Sequence, residues 1–379
     1  MRPASSIALA ALATLSIACG PDPEGLAVLA WNDSIDPANV DMEVMVTSAD
    51  GLNQPMDLAF DPDEPTMLWI PNRADDSMTI VFDAGLPTQS SENRVDPYAL
   101  HFMEEVSSID FGQSGTFGPC QESRNTYNGQ AAPNDFTGPT LWPSNLDVFA
   151  ESNPAAVEYL TQLFGFPTDL GSHLDMQHET PLCTGIAWER DNVYWTFDGL
   201  NETIDRVDFQ EDHGPGYDDH SDGITAEYGD TGIGYLEGVP NHMVFDAATS
   251  LLYVADPANS RIVALDTTTG TRGQDLPVTE PGTQHYTVEG AESFELIGAD
   301  AGMDQPSGLA MVDGVLFVTD HGTGVIHAFD VVTGEEIDRL TTNRGGGTIT
   351  GIVAPNMDEL WLVDSGADEV LRIRPHDVE

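Results

Sequence analysis

Short apolar runs rich in β-branched and aromatic side chains recur along the chain. Many of them close on Asp or Asn, and Gly, Pro, Asn and Asp separate one from the next. Such a pattern predicts strands joined by tight turns. Three stretches follow one plan in full: Pro, a short apolar strand, a turn, an apolar strand ending in Asp or Asn, a polar turn, and a third strand. They run through residues 54–60, 67–72 and 78–83, then 239–245, 251–256 and 261–266, then 305–311, 315–320 and 325–330. Weaker copies are found at 184–188 with 193–198, at 351–353 with 360–364, and, most divergent, at 106–111 with 116–118, so that the repeat occurs six times.

Short strands repeated at a regular period predict an all-β chain whose sheets are arranged radially, a β-propeller. The phrase Tyr253-Val254-Ala255-Asp256-Pro257-Ala258-Asn259-Ser260-Arg261-Ile262 closely resembles the NHL repeat. That resemblance implies a six-bladed NHL-type propeller and covers most of the chain from about Met42 onward. The last unit runs out at Pro375 after three strands, and residues 42–47 are the available fourth strand, which would close the ring by pairing its two ends. One insertion, at about residues 121–178, breaks the repeat. Within it Asn153, Pro154 and Gly165 frame residues 155–164 with an N-cap, a first-turn proline and a glycine stop, which predicts a helix beside the ring.

The N-terminus changes the picture of where the domain resides. A single Arg2, an apolar run over residues 7–18 and a small residue before Cys19 have the form of a signal peptide, residues 1–18. Residues 15–19 resemble a bacterial lipobox, with Ser16 where Leu is usual. This implies that Cys19 is lipidated, with residues 19–38 as a tether and residues 39–379 as one propeller domain. The expected location is therefore the cell envelope, with membrane contact only through the lipid and a monomeric body.

Acidic residues number 64 against 12 basic ones, and all the basic ones are Arg. At a formal charge of −52 the surface repels nucleic acid, which excludes that class of partner. A solvated surface suited to a salty habitat accounts for the charge. In an oxidising compartment the remaining cysteines, Cys120 and Cys183, are expected to form a disulfide.

Aligning the units suggests which histidines share a face. His101 and His178 fall at one repeat position ahead of the inner strands of units two and three, and His321 lies in a turn on the same side. His242 occupies an inner-strand position held elsewhere by Asp57, Ser108, Gly185, Gly308 and Gly351, which predicts a side chain pointing into a narrow channel. Converging neutral imidazoles make a transition-metal site, with Zn or Cu the expected ion. The expected ligands are His101, His178 and His242, with His321 or Glu122 as a further ligand or acid/base group. A second cluster, Asp218, His220 and Asp222 before Gly223, mimics the opening of a calcium loop, with an ordinary acidic turn as the equal alternative, and is expected on the opposite face of the ring. His173, His285, His327 and His376 show no shared facing.

No Gly-x-Ser-x-Gly, phosphate-cradling Gly loop or Lys is present, which sets aside three reaction classes. Six NHL units with axial histidines are similar to the peptidyl-hydroxyglycine amidating lyase. That family carries its His directly after the strand-opening Pro, where this chain has Asn241, with His242 following. The resulting expectation is a metal-dependent lyase or oxidoreductase acting on a small molecule or peptide. The alternative is a non-catalytic binding module for protein, peptide or glycan, and a calcium-dependent lactonase-like propeller ranks last because Asp57 is the only clear inner-strand acid.

Overall fold

The computed structural model describes residues 26–29, 40–112, 115–124 and 135–376. The expected signal peptide, Cys19 and most of the tether lie outside them. Six sheets follow one another around the chain, each of four strands in the order inner, second, third, outer, apart from blade III. Blade I runs from Ala59–Phe60 to Ser90–Arg94, and blade II from Val106–Phe111 to Asp175–Met176. Blade III begins at Cys183–Arg190, blade IV at Met243–Asp246, blade V at Pro306–Val312 and blade VI at Ile349–Asn356. The fold is thus the six-bladed propeller that the repeat predicted.

The ring closes as expected. Val40–Thr47 is the outer strand of blade VI and pairs antiparallel with Glu369–Pro375, Met42 facing Ile373 and Thr47 facing Glu369.

The Asp that ends the second strand in blades III to VI has a local purpose: its carboxylate holds the turn to the third strand. Asp320 accepts from the backbone N–H of Gln305 and Gly322, and Asp198 from those of Leu200 and Asn201. Small residues on the inner strands are enforced by crowding. A side chain at Gly185 would meet the Asn241 carbonyl at 2.0 Å, and one at Gly308 the Thr350 carbonyl at 2.2 Å.

Apolar packing lies between neighbouring blades. Between blades I and II, Trp69 is fully buried with its ring 5.0 Å from Phe117 and 5.0 Å from Phe149. Trp361 of blade VI packs edge-on against Phe60 of blade I at 5.6 Å, so the closure carries apolar contact as well as strand pairing.

Two features depart from a plain repeat. The 121–178 insertion is partly blade: it supplies the third and outer strands of blade II, Thr140–Pro143 and Asp175–Met176. Its helix, Pro154–Phe164, has the predicted caps. The Asn153 side chain accepts from Ala155 N–H, and Gly165 adopts the left-handed conformation at φ 79°. The second departure is a hairpin, Thr271–Asp275 with Gln284–Glu289, inside the third-to-outer connection of blade IV. It attaches parallel to the outer strand of blade III, Ile224–Tyr228, and extends that sheet to six strands.

Candidate functional site on the ring flank

Two cavities are lined by histidines that the sequence singled out. The first is the axial channel of about 360 Å³, lined by inner-strand residues of all six blades. His242 points into it, as the repeat alignment predicted. Its Nε2–H donates to the Ser107 carbonyl at 2.9 Å, and its Nδ1 stands 3.7 Å from Asp57. Asp57 Oδ2 in turn accepts from Ile109 N–H. Asp110 also lines the channel, so Asp57 is not the only inner-strand acid. Burial pushes the Asp110 carboxyl up to about 7, against the hydrogen bond from Trp188 N–H, and burial raises Asp57 as well.

The second cavity, about 490 Å³, lies on the flank of the ring where the outer strand of blade II meets the long connections around it. His101, His178 and His220 line it together with Phe102, Phe136 and Phe166, while Asp218 and Glu280 add carboxylates. His101 comes from the short helix Ala99–Phe102 that links blades I and II, and His178 follows the outer strand Asp175–Met176. The two rings stack 5.8 Å apart, and Phe136 stacks on His178 at 3.8 Å. The two histidines stand side by side as expected, but on the flank of the ring and not at the mouth of the channel with His242.

The other members of the expected set are elsewhere. His242 belongs to the channel, and His321 donates through Nδ1 to the Ile349 carbonyl at the start of blade VI. Glu122 is buried and engaged on both oxygens, accepting from Tyr235 Oη–H at 2.8 Å, Gly238 N–H at 3.0 Å and Arg73 Nε–H at 3.2 Å. It ties blade II to the segment leading into blade IV and has no free oxygen for a base.

In place of those residues, the connection over residues 209–223 brings His220 to the pocket. Its ring lies 5.8 Å from His178 and 5.4 Å from His173, and Nδ1 is 2.9 Å from Asp175 Oδ1. This corrects the expectation that the Asp218–Asp222 loop lies away from the histidines. That loop folds back over the outer edge of blade II, and Asp218 and Asp222 point to different neighbours. Asp218 Oδ1 is 3.8 Å from His220 Nε2, whereas Asp222 Oδ1 is 3.0 Å from His213 Nε2. Among the described residues, the donor atoms that converge within 4.8 Å belong to Asp175, His213 and Asp222.

Electrostatics favour uncharged imidazoles and a negative mouth. Burial, reinforced by the nearby His220 ring, pushes His101 down to about 3 and His178 and His173 well below the usual range. Burial pushes Asp175 up to about 6 despite the hydrogen bond to His220. No Arg is among the described residues that line the cavity. The Cys120–Cys183 disulfide joins the second strand of blade II to the inner strand of blade III, with Cα atoms 5.2 Å apart, and locks the two blades that carry the site.

No known family model matches the chain, and no characterised protein matches it in sequence. Solved structures do match in fold. An auxiliary nutrient binding protein from Bacteroides ovatus is 12% identical over 90% of this chain and 75% of that one, with a TM-score of 0.51. A luciferin-regenerating enzyme is 12% identical over 88% and 95%, with a TM-score of 0.51. A protein of unknown function from Bacteroides thetaiotaomicron is 8% identical over 88% and 76%, also at 0.51. These are propellers, and they include both binding proteins and enzymes.

Sequence reasoning missed His173, His213 and His220 as members of one neighbourhood. The signal available was their density: all three sit in the two long connections that interrupt the repeat, where function concentrates on a rigid scaffold.

Proposed function

We propose that this chain is an exported, lipid-anchored NHL-type propeller that takes a small, planar, neutral or cationic molecule into the flank pocket and moves a proton on it through His220. The observation that carries this reading is the contact of 2.9 Å between Asp175 Oδ1 and His220 Nδ1 at the wall of the cavity. A carboxylate holding Nδ1–H leaves the Nε2 lone pair turned toward the pocket, the arrangement of an oriented general base. Met176 N–H also donates to Asp175, at 2.6 Å, which fixes the carboxylate in place.

The lining supports the choice of ligand. Aromatic faces with carboxylates beside them attract cations, and the absence of Arg disfavours anions. Among the described residues that line the cavity there is no Ser or Cys, and the one aliphatic hydroxyl, Thr168, has no hydrogen-bonded base of its own, so the base at His220 points to proton abstraction, as in an elimination, rather than to acyl transfer.

A second reading, a binding module without turnover, draws on the exposed Phe164 and Phe166 at the pocket edge, 42% and 60% accessible, which suit a peptide side chain or a glycan ring. The test has two arms. Saturation-transfer NMR with benzylammonium and benzoate should show binding of the cation only, weakened in Phe166→Ala; preference for benzoate would refute the ligand class. Deuterium exchange from water into acidic C–H bonds of bound molecules should be catalysed by the native chain and not by His220→Gln. Binding without exchange would leave the module reading in its place.

A further inference from the structure

Asp175 is fully buried on the outer strand of blade II, and its two oxygens are unequal. Oδ1 receives His220 Nδ1–H and Met176 N–H, whereas Oδ2 is buried with no hydrogen-bond partner. A buried carboxylate oxygen left without a partner is costly and rare in folded proteins, so it marks a place where something positive or a donor belongs.

Two further donors approach the same carboxylate. His213 and Asp222, both half-buried, stand on the 209–223 connection with Nε2 and Oδ1 3.0 Å apart. Together with Asp175 they offer one ligand atom each, all within 4.8 Å of one another. Ligands about 2.0–2.2 Å from one tetrahedral ion are themselves roughly 3.3–3.5 Å apart, so small side-chain adjustments complete the sphere. The other ring nitrogen of His213 faces Asp219 Oδ2 at 4.0 Å, the kind of carboxylate that orients a ligating imidazole.

The donor chemistry narrows the ion. One imidazole and two carboxylates without a thiolate suit Zn²⁺ or a similar divalent transition ion rather than Cu⁺. Three ligands that include a nitrogen are a poor match for Ca²⁺, which takes 6–8 oxygens.

We propose that Asp175, His213 and Asp222 bind one zinc-class divalent ion, with the fourth position open to water on the solvent side of His213 and Asp222. The site stands on its own donors and does not depend on the chemistry assigned to the pocket. It fastens the 209–223 connection to blade II. It also gives Asp175 a double duty, because the carboxylate that ligates through one oxygen orients His220 through the other.

The experiment uses mature protein stripped with EDTA and titrated with zinc chloride by calorimetry, alongside elemental analysis of protein purified without chelator. One ion per chain is expected, with affinity weakened at least about tenfold in His213→Ala and in Asp222→Asn, and unchanged in His285→Ala. Asp222 is half-exposed, so its variant should fold, and thermal melting checks that it does. Failure of the native chain to bind zinc stoichiometrically, or undiminished binding in both ligand variants, overturns the proposal. The pocket reading can fail separately, through the probe-binding and exchange assays, with zinc binding intact.

Discussion

Asp175 Oδ1 and His220 Nδ1, 2.9 Å apart, join the outer strand of blade II to a connection of blade III that carries no repeat register. Both residues are buried, so their protons are held by each other and not by water. Asp175→Asn should reverse the direction of the bond: an amide donates to Nδ1, and the imidazole then turns Nε2–H toward the cavity. Nitrogen-15 NMR of His220 should report the Nδ1–H tautomer in the native chain and the Nε2–H tautomer in the variant. Asp175→Ala, which removes the buried acceptor shared by His220 Nδ1–H and Met176 N–H, should lower stability by about 2–4 kcal/mol in urea unfolding.

The Cys120–Cys183 bridge closes a loop with a sequence separation of 63 residues. On the chain-entropy model such a loop stabilises the fold by about 4 kcal/mol. The double variant Cys120→Ala, Cys183→Ala should melt lower by that order. Thiol titration of the unfolded, unreduced native protein should find neither sulfur free, and reactive thiols from this pair would contradict the bridge.

Ring closure by Val40–Thr47 makes a further prediction. Removing the strand leaves the third strand of blade VI unpaired along its outer edge, and Val46 is part of the apolar cluster between blades VI and I. The truncated chain should lose the single cooperative unfolding transition of the intact ring. An unchanged melting curve would show that the strand is dispensable.

Titration in the site and in the channel acts with opposite sign. His101, held at about 3 in the fold, refuses protons that the unfolded chain accepts below about 6.5, so its contribution to stability is lost as pH falls from that value toward 3. Asp110, held at about 7, is protonated in the fold where the unfolded carboxyl is not. Its contribution is present below the ordinary carboxylate range and lost as pH rises through about 7. Urea unfolding at a series of pH values should give difference curves of opposite slope. His101→Gln should gain on the native chain as pH falls, and Asp110→Asn should gain as pH rises.

The repeat was readable because each blade restates the same constraints. The inner strand needs a small residue where carbonyls crowd at Gly185 and Gly308, and in blades III to VI the second strand ends on the Asp that holds its turn. Alignment of units therefore placed His242 in the channel and found the closing strand. It could not place His220, His213 or His173, because residues 144–174 and 209–223 lie between strands and have no counterpart in other blades to be aligned with. The hairpin Thr271–Asp275 with Gln284–Glu289 was missed for the same reason. Its attachment to blade III is a parallel pairing across two blades that no local pattern encodes.

Closing the ring through blade VI also fixes the molecule's bearing. The chain enters the propeller at Val40 on the outer edge of blade VI, and Val28 and Leu29 pack into the apolar cluster of blades V and VI. In a ring of six, blades V and VI lie across the axis from blades II and III, which carry the flank pocket. The short described segment that carries Val28 and Leu29 is thus held on the far side of the axis from the pocket, which leaves the pocket's rim clear of it.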